Sequence, residues 1–387
     1  MKHPPFYKNK AVISISIITL ITGIITAQNI LLSDFGFETQ MHSFYNNYLI
    51  FKNSFFHLWS NENLYVLYPE VQVDLFKYSP TFALLFAPLS LLPNFLGLFL
   101  WNVINALVFF AVWKIPFPKT QNKLWIMAFL LIEYVTNIQS SQSNGLMAGL
   151  MILTYVFLEK KNILLATLMV VLSIYLKLFG FVAFALFLFY PDKLKAVGYS
   201  IFWFVVLFFI PLLIISPDQL IQQYQNWLEM LMADKAVSYS PSVMGWFTSW
   251  FSFTPSATSL TLSGIIIFLL PFIKIKSYTN PIFKQLILSS VLMWVVLFNH
   301  KAESPTFIIS VAGVAIWFFS QNRNTLNTIL LFLVLILTQF SPTDLFPSSI
   351  RSTYFIPYVI KVFPVILVWI KLIYDTLLIP VEEKTNA

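Results

Sequence analysis

Ionisable side chains are scarce in this sequence and unevenly placed. Several of its 16 Asp and Glu fall between residues 33 and 78, namely Asp34, Glu38, Glu62, Glu70 and Asp74. Carboxylates are proton-accepting groups, so this stretch is where general acid–base chemistry is sought first. Each has a plainer role as well. Asp34 can cap a helix or sit as a solvated loop charge, Asp74 with Lys77 can form a surface ion pair worth about 0–1 kcal/mol, and Glu38, Glu62 and Glu70 read as solvated. Lys177 differs, because it lies inside an apolar stretch. A charge there costs roughly 2.5–3.5 kcal/mol on insertion scales, which makes it a functional candidate by default. Its plainer roles are snorkelling to an interface or pairing with Glu133, the one carboxylate placed at such depth. His300, Lys301 and Glu303 gather at the end of another apolar stretch, where interfacial anchoring is the plain explanation.

The absent chemistry is equally informative. With no Cys, disulfides, thiolate catalysis, cysteine-ligated zinc and iron–sulfur clusters are excluded. The four His (His3, His42, His57, His300) are scattered, without an HExxH pattern, so a histidine metal site is not expected. No cofactor is expected, and the sequence leaves metal dependence open.

These residues must be positioned by apolar elements. The chain of 387 residues is 58% hydrophobic and 10% charged, with 41 Phe and 11 Trp. A soluble domain is nearer 25% charged, and no water-soluble core of this length hides so much apolar surface. The fold class expected is all-α, a polytopic membrane protein. The net charge of +7 is then read as orientation, not as a nucleic-acid signal.

Lys2, Lys8 and Lys10 precede an apolar run from Ala11 to about Leu32. That run is longer than the roughly 7–15 residues of a secretory signal, so it is expected to be an uncleaved first span with residues 1–10 in the cytoplasm. Residues 33–78 form a first external loop. From Ser79 to Trp113, Pro80, Pro88 and Pro93 divide an apolar stretch too long for one straight span, giving a short helix to Leu92 and a longer one to Trp113. Residues 124–158 and 162–190 are each flanked by lysines and interrupted, the first at residues 139–145, the second at Lys177 and Gly180. Each is expected to enter and return as a hairpin of short helices, with irregular backbone covered by protein or a wet cavity. Spans at 197–215, 260–273, 282–298, 306–320, 326–340 and 354–375 follow, with a second external loop at 216–258 and a cytoplasmic tail at 376–387. This makes about eight crossings plus two hairpins, roughly 12–13 helices, in a single integral-membrane domain. No internal repeat is seen.

Residues 33–93 carry a more specific pattern: Asp34-Phe35 after the first span, an amphipathic helix at about 45–59, Leu64-Tyr65, then Phe76-Lys77-Tyr78-Ser79-Pro80 opening an apolar helix that ends in Leu92-Pro93. This resembles the polyprenol-phosphate-dependent glycosyltransferases of family 87, in the multi-span GT-C class. Further on, Gln142 and Asn144 occupy polar slots of a segment similar to that family's Gly-Gln-x-Asn. Lys177 takes a lysine slot, and residues 299–307 are similar to a late external loop.

The resemblance implies a GT-C-like fold and an inverting hexosyltransferase of the plasma membrane. It would move a mannose-like sugar from a polyprenyl-phosphate donor to a glycan or glycolipid hydroxyl on the external face, with the bilayer as a further partner and no nucleic acid. It implies a carboxylate base, Asp34 or Asp74, and substrate contacts from Lys77, Tyr78, Lys177, His300, Lys301 and Glu303, with cations around the departing phosphate. The spacing from Asp34 to Leu64-Tyr65 is longer than the family pattern, and another alignment puts Asn46 or Asn47 in the acidic slot. A lipid-linked sugar transporter or flippase, and a non-catalytic envelope-glycan accessory protein, stay open as alternatives. The sugar, the acceptor, the pathway and the oligomeric state are not legible.

Overall fold

A computed structural model of the protein describes residues 10–34, 44–118, 123–233 and 241–380. These are 77% helical and contain no strand among the described residues. The chain is all-α and, by its apolar helices, a polytopic membrane protein.

The first helix, α1 (Lys10–Asp34), is one uninterrupted run, as expected. After it, α2 (Asn46–Trp59) presents Tyr48, Phe51, Phe55 and Leu58 on a buried face. The prolines then act as the sequence suggests. Ser79 caps α3 (Pro80–Leu85) by accepting from the Phe82 amide, and Pro80 takes the first helical position, where no amide is needed. A second short piece, α4 (Ala87–Ser90), ends before Pro93. Beyond it run α5 (Asn94–Asn105) and α6 (Leu107–Lys114). Next come α7 (Leu124–Gln139), α8 (Asn144–Glu159) and α9 (Ile163–Leu176), then a 3₁₀ stretch over Leu178–Phe189. Both expected interruptions are therefore present. The remainder is α10 (Lys193–Phe209), α11 (Pro217–Ala233), α12 (Val243–Phe251), α13 (Ala257–Leu269), α14 (Pro281–Leu297), α15 (Phe307–Ser320), α16 (Thr325–Leu333), α17 (Ser348–Ile350) and α18 (Phe363–Leu377).

Among the described residues, eighteen α-helical segments exceed the 12–13 expected. Prolines and polar breaks cut apolar stretches into pieces that hydropathy alone reads as single spans. Among the described residues, three helices have the length and apolarity to cross a bilayer, at Val12–Ser33, Asn94–Lys114 and Lys193–Leu213. Ser348–Phe355 and Ile360–Leu377 form a further candidate bent by 77°. Val359 marks this bend with φ 49°, a left-handed conformation that a β-branched residue rarely adopts.

By contacts the chain divides into two compact units. The first comprises residues 1–111, 134–181 and 194–236. Its aromatic centre is Phe51, with the rings of Tyr78, Phe82, Phe86 and Trp101 at 4.9, 5.3, 5.6 and 5.4 Å. Each such pair is worth about 0.5–1.5 kcal/mol beyond its buried area. Apolar burial does not drive helices together in lipid, where hydrogen bonds and close packing do. Thr22 of α1 accordingly meets the Tyr134 hydroxyl at 2.6 Å, and Tyr134 donates to the Asn102 carbonyl at 3.0 Å.

The second unit comprises residues 112–133, 182–193 and 237–387. Its centre is the α14–α15 pair, almost wholly buried, with α18 packed against both. Here Glu133, fully buried, accepts from Lys361 Nζ at 2.7 Å. This corrects the pairing considered for Glu133: its partner is Lys361, not Lys177. Lys361 also lies 5.0 Å from the centre of the Phe307 ring, and the Thr338 hydroxyl donates to its carbonyl at 2.8 Å.

Candidate active site

The break between α7 and α8 runs through Gln139, Ser140, Ser141, Gln142 and Ser143, with Ser141 at φ 50°. A helix cannot pass through it, so the carbonyls of residues 139–142 need donors from elsewhere in the chain. Each finds one. The Asn29 amide donates to Gln139 O at 3.1 Å, Asn47 to Ser140 O at 2.8 Å, the Trp101 indole to Ser141 O at 2.8 Å, and Asn137 to Gln142 O at 3.3 Å. Asn46 and Asn47, candidates for the acidic slot in the other alignment, are thus both engaged with backbone, since Asn46 Oδ1 accepts from the Val73 amide at 3.1 Å.

Side chains assemble on this scaffold. Asn137 Oδ1 accepts from the Asn144 amide at 3.2 Å, and Asn105 Oδ1 accepts from Asn137 Nδ2 at 3.2 Å and from the Leu146 amide at 3.1 Å. Asn144 is thereby fixed. Its Nδ2 donates to Gln142 Oε1 at 2.7 Å, and its Oδ1 accepts from Lys177 Nζ at 2.7 Å. The approach is close: a Cβ on Gly145 would stand 2.4 Å from the Asn105 carbonyl oxygen. Lys177 ends α9 in extended backbone, which turns its side chain out of the helical repeat. Its Nζ lies 5.8 Å from the centre of the Tyr78 ring, and the Tyr78 hydroxyl meets Ser143 Oγ at 3.1 Å. The Ser79 hydroxyl donates to the Tyr175 carbonyl at 2.7 Å, tying the start of α3 to the end of α9. Lys177, Tyr78, Gln142, Ser143 and Asn144 therefore form one group: a half-buried cation, a phenol, a hydroxyl and two amides.

Lys77 faces elsewhere, into a cleft of about 460 Å³ lined also by Asn63, Tyr65, Asn226 and Glu229. The two places share a strand of backbone, because the Tyr65 hydroxyl donates to the Tyr78 carbonyl at 2.9 Å and the Trp227 indole to the Lys77 carbonyl at 3.3 Å. Helix α11 closes this corner, with Gln223 accepting from the Leu64 amide at 3.3 Å and donating to the Glu62 carbonyl at 2.7 Å. Burial holds the Tyr65 phenol well above its usual range, with Tyr224 adding to the effect.

Of the two carboxylates considered as bases, Asp74 is 64% exposed and stands 4.0 Å from Lys77. The backbone of Asp34 closes α1, but its side chain lies outside the described residues, as do Phe35, Glu38 and His42. Glu62 is not simply solvated: it pairs with His57, whose ring stacks on Tyr68 at 3.8 Å. His300, Lys301 and Glu303 belong to the second unit and share one turn. The Lys301 amide donates to Asn299 Oδ1 at 3.0 Å, and Glu303 with Thr306 makes a reciprocal cap on the turn 304–306.

Sequence reasoning missed Asn105 and Asn137. The available signal was an asparagine flanked by apolar residues at a helix end, Asn105 closing α5 and Asn137 near the end of α7, a costly placement that requires a partner. It also passed over Glu229, a charge on the amphipathic α11 that only the fold brings beside Lys77.

The model of glycosyltransferase family 87 matches residues 76–342. The chain belongs to glycosyltransferase family 87. No curated protein matches it. The matched stretch opens at Phe76, at the head of Phe76-Lys77-Tyr78-Ser79-Pro80, and takes in Gln142, Asn144, Lys177 and residues 300–303. As a family 87 member the protein is a glycosyltransferase, which requires a sugar donor and an acceptor, and its apolar helices place it in a lipid bilayer.

Proposed function

We propose that this glycosyltransferase moves a mannose-like hexose from a polyprenyl-phosphate donor to an acceptor hydroxyl on the non-cytoplasmic face of the plasma membrane, with inversion. The observation that carries this is the Lys177 cation, held by Asn144 at a polar break within apolar helices and flanked by Tyr78. A sugar phosphate carried on a lipid tail needs a cation at such depth.

In the reaction, the acceptor oxygen attacks the anomeric carbon from the side opposite the phosphate. The bond from that carbon to the phosphate oxygen breaks, and its electron pair leaves with the polyprenyl phosphate. The acceptor proton passes to a carboxylate, Asp34 or Asp74. Lys177 offsets the charge growing on the departing phosphate, and Lys77 and Tyr78 orient the sugar; His300, Lys301 and Glu303, in the second unit, are proposed as substrate contacts in their own right. In this topology residues 1–10 and 376–387 are cytoplasmic, and 33–78 and 216–258 are external.

The test is purified protein in detergent with polyprenyl-phosphate carrying carbon-14-labelled mannose and membrane lipid acceptors. Labelled glycolipid is the expected product. One of D34N and D74N, assayed separately, should lose about 10²–10⁴-fold in rate, the usual contribution of a general base. Full activity in both would refute a carboxylate base drawn from these two residues.

A further inference from the structure

In the second unit, residues 323–336 line an open groove of about 560 Å³ along one helical segment. At one end stands Arg323, with Thr325 and Thr328 beside it; further along are Ile329, Phe332 and Ile336. The polar and apolar parts are segregated along the helix. The apolar residues recur at spacings of three and four, which puts them on one face, and all three are well exposed.

Charge and length both restrict what fits. Arg323 lies 5.7 and 5.6 Å from the ring centres of Phe318 and Phe319, which hold it at an apolar edge. Among the described residues no carboxylate lines the groove. Asp375, the acid tied to nearby Gln321, is already engaged by Lys371, the Trp317 indole and Gln321 itself. The first amides of α16 add partial positive charge at the same end. From Ile329 in α16 to Ile336 in its π-helical continuation, Val334–Phe340, the apolar part advances about 10 Å at about 1.5 Å per residue. One leaflet of a hydrocarbon core is about 15 Å deep. The groove therefore has a cationic mouth and an apolar floor that covers about two thirds of one leaflet.

We propose that this groove binds one anionic phospholipid, its phosphate at Arg323 and an acyl chain along Ile329, Phe332 and Ile336. None of the residues assigned to glycosyl transfer takes part, so the proposal stands apart from the reaction.

The full-length protein, purified in detergent and equilibrated with equal dioleoylphosphatidylglycerol and dioleoylphosphatidylcholine, is examined by native mass spectrometry. The wild type should retain phosphatidylglycerol in preference to phosphatidylcholine. R323Q should lower the retained phosphatidylglycerol about fivefold, the effect of one cation near a lipid surface, and leave phosphatidylcholine unchanged. R323K keeps the charge and should keep the preference, and I329W, which fills the groove, should release the lipid. R351Q, whose arginine is bound to Asp344 at 2.6 Å, should behave as wild type. Equal retention of the two lipids by the wild type, or equal phosphatidylglycerol in wild type and R323Q, would overturn the proposal. A dimer lost on I329W would overturn it too, by making a second copy of the chain the occupant.

Discussion

Replacing Lys361 by methionine should cost more stability than replacing both members of its ion pair. At the observed 2.7 Å the attraction is about 6 kcal/mol with an effective dielectric of about 20. Against it stands desolvation of several kcal/mol for each ion. Glu133 is fully buried and its Oε2 has no hydrogen-bond partner among the described residues, so part of its lost hydration is not replaced. The two effects nearly cancel, and the intact pair adds little beyond what an apolar pair of similar volume would. Removing Lys361 alone leaves a carboxylate in an apolar core without its cation, at a cost of about 3–5 kcal/mol. The variants K361M, E133Q and E133Q/K361M can be compared by SDS titration in mixed micelles, with tryptophan fluorescence as the probe; Trp317 and Trp369 report on this unit. Each single change should cost about 3–5 kcal/mol, and the double variant should fall within about 1 kcal/mol of wild type. A double variant as unstable as the sum of the singles would refute the reasoning, as would a K361M protein of wild-type stability.

Four further outcomes are expected. Gly145→Ala should destabilise the fold by about 1–3 kcal/mol, because its Cβ would press on the Asn105 carbonyl, whereas Gly198→Ala, with nothing within 4 Å of the added carbon, should stabilise α10 by up to about 1 kcal/mol; the same titration measures both. Lys177→Met and Asn144→Leu should each lower glycosyl transfer by about 10-fold or more while the protein still elutes as a folded species, since each removes one side of the 2.7 Å contact at the polar break. Trp101→Phe should cost about 1–3 kcal/mol in stability by leaving the Ser141 carbonyl without its donor. Tyr65 has a raised phenol in the fold, so its contribution is fully present below about pH 10, the value for an unfolded tyrosine, and is lost as pH climbs toward the folded value. Alkaline unfolding should accordingly move to higher pH in Y65F.

Much of this architecture is written in local composition. The first span, the amphipathic stretch that becomes Asn46–Trp59, the proline breaks after Ser79 and the two interruptions near residues 139–145 and 177 all follow from hydropathy and from proline and polar residues in apolar runs. Lys177 stands out in sequence for the same reason. What local pattern does not encode is pairing across distance. Glu133 and Lys361 are 228 positions apart, and nothing in the spacing of either distinguishes that partner from Lys177. The roles of Asn29, Asn105 and Asn137 were also hidden, because an amide that satisfies a distant carbonyl looks the same in sequence as one facing water. Val359 is a third case. Its left-handed backbone is imposed by the bend on either side, against the preference of a β-branched residue.

The donors that hold the break between α7 and α8 have a consequence for how the chain is made. Asn29, Asn47, Trp101 and Asn137 all precede the carbonyls they satisfy, and synthesis runs from the N-terminus. When residues 139–142 emerge, every donor their carbonyls use has already been translated. Lys177 and Tyr175 arrive afterwards and latch onto Asn144 and Ser79, parts by then in place. The order of the chain thus permits vectorial assembly of this region, with the scaffold of the polar pocket translated before the cation.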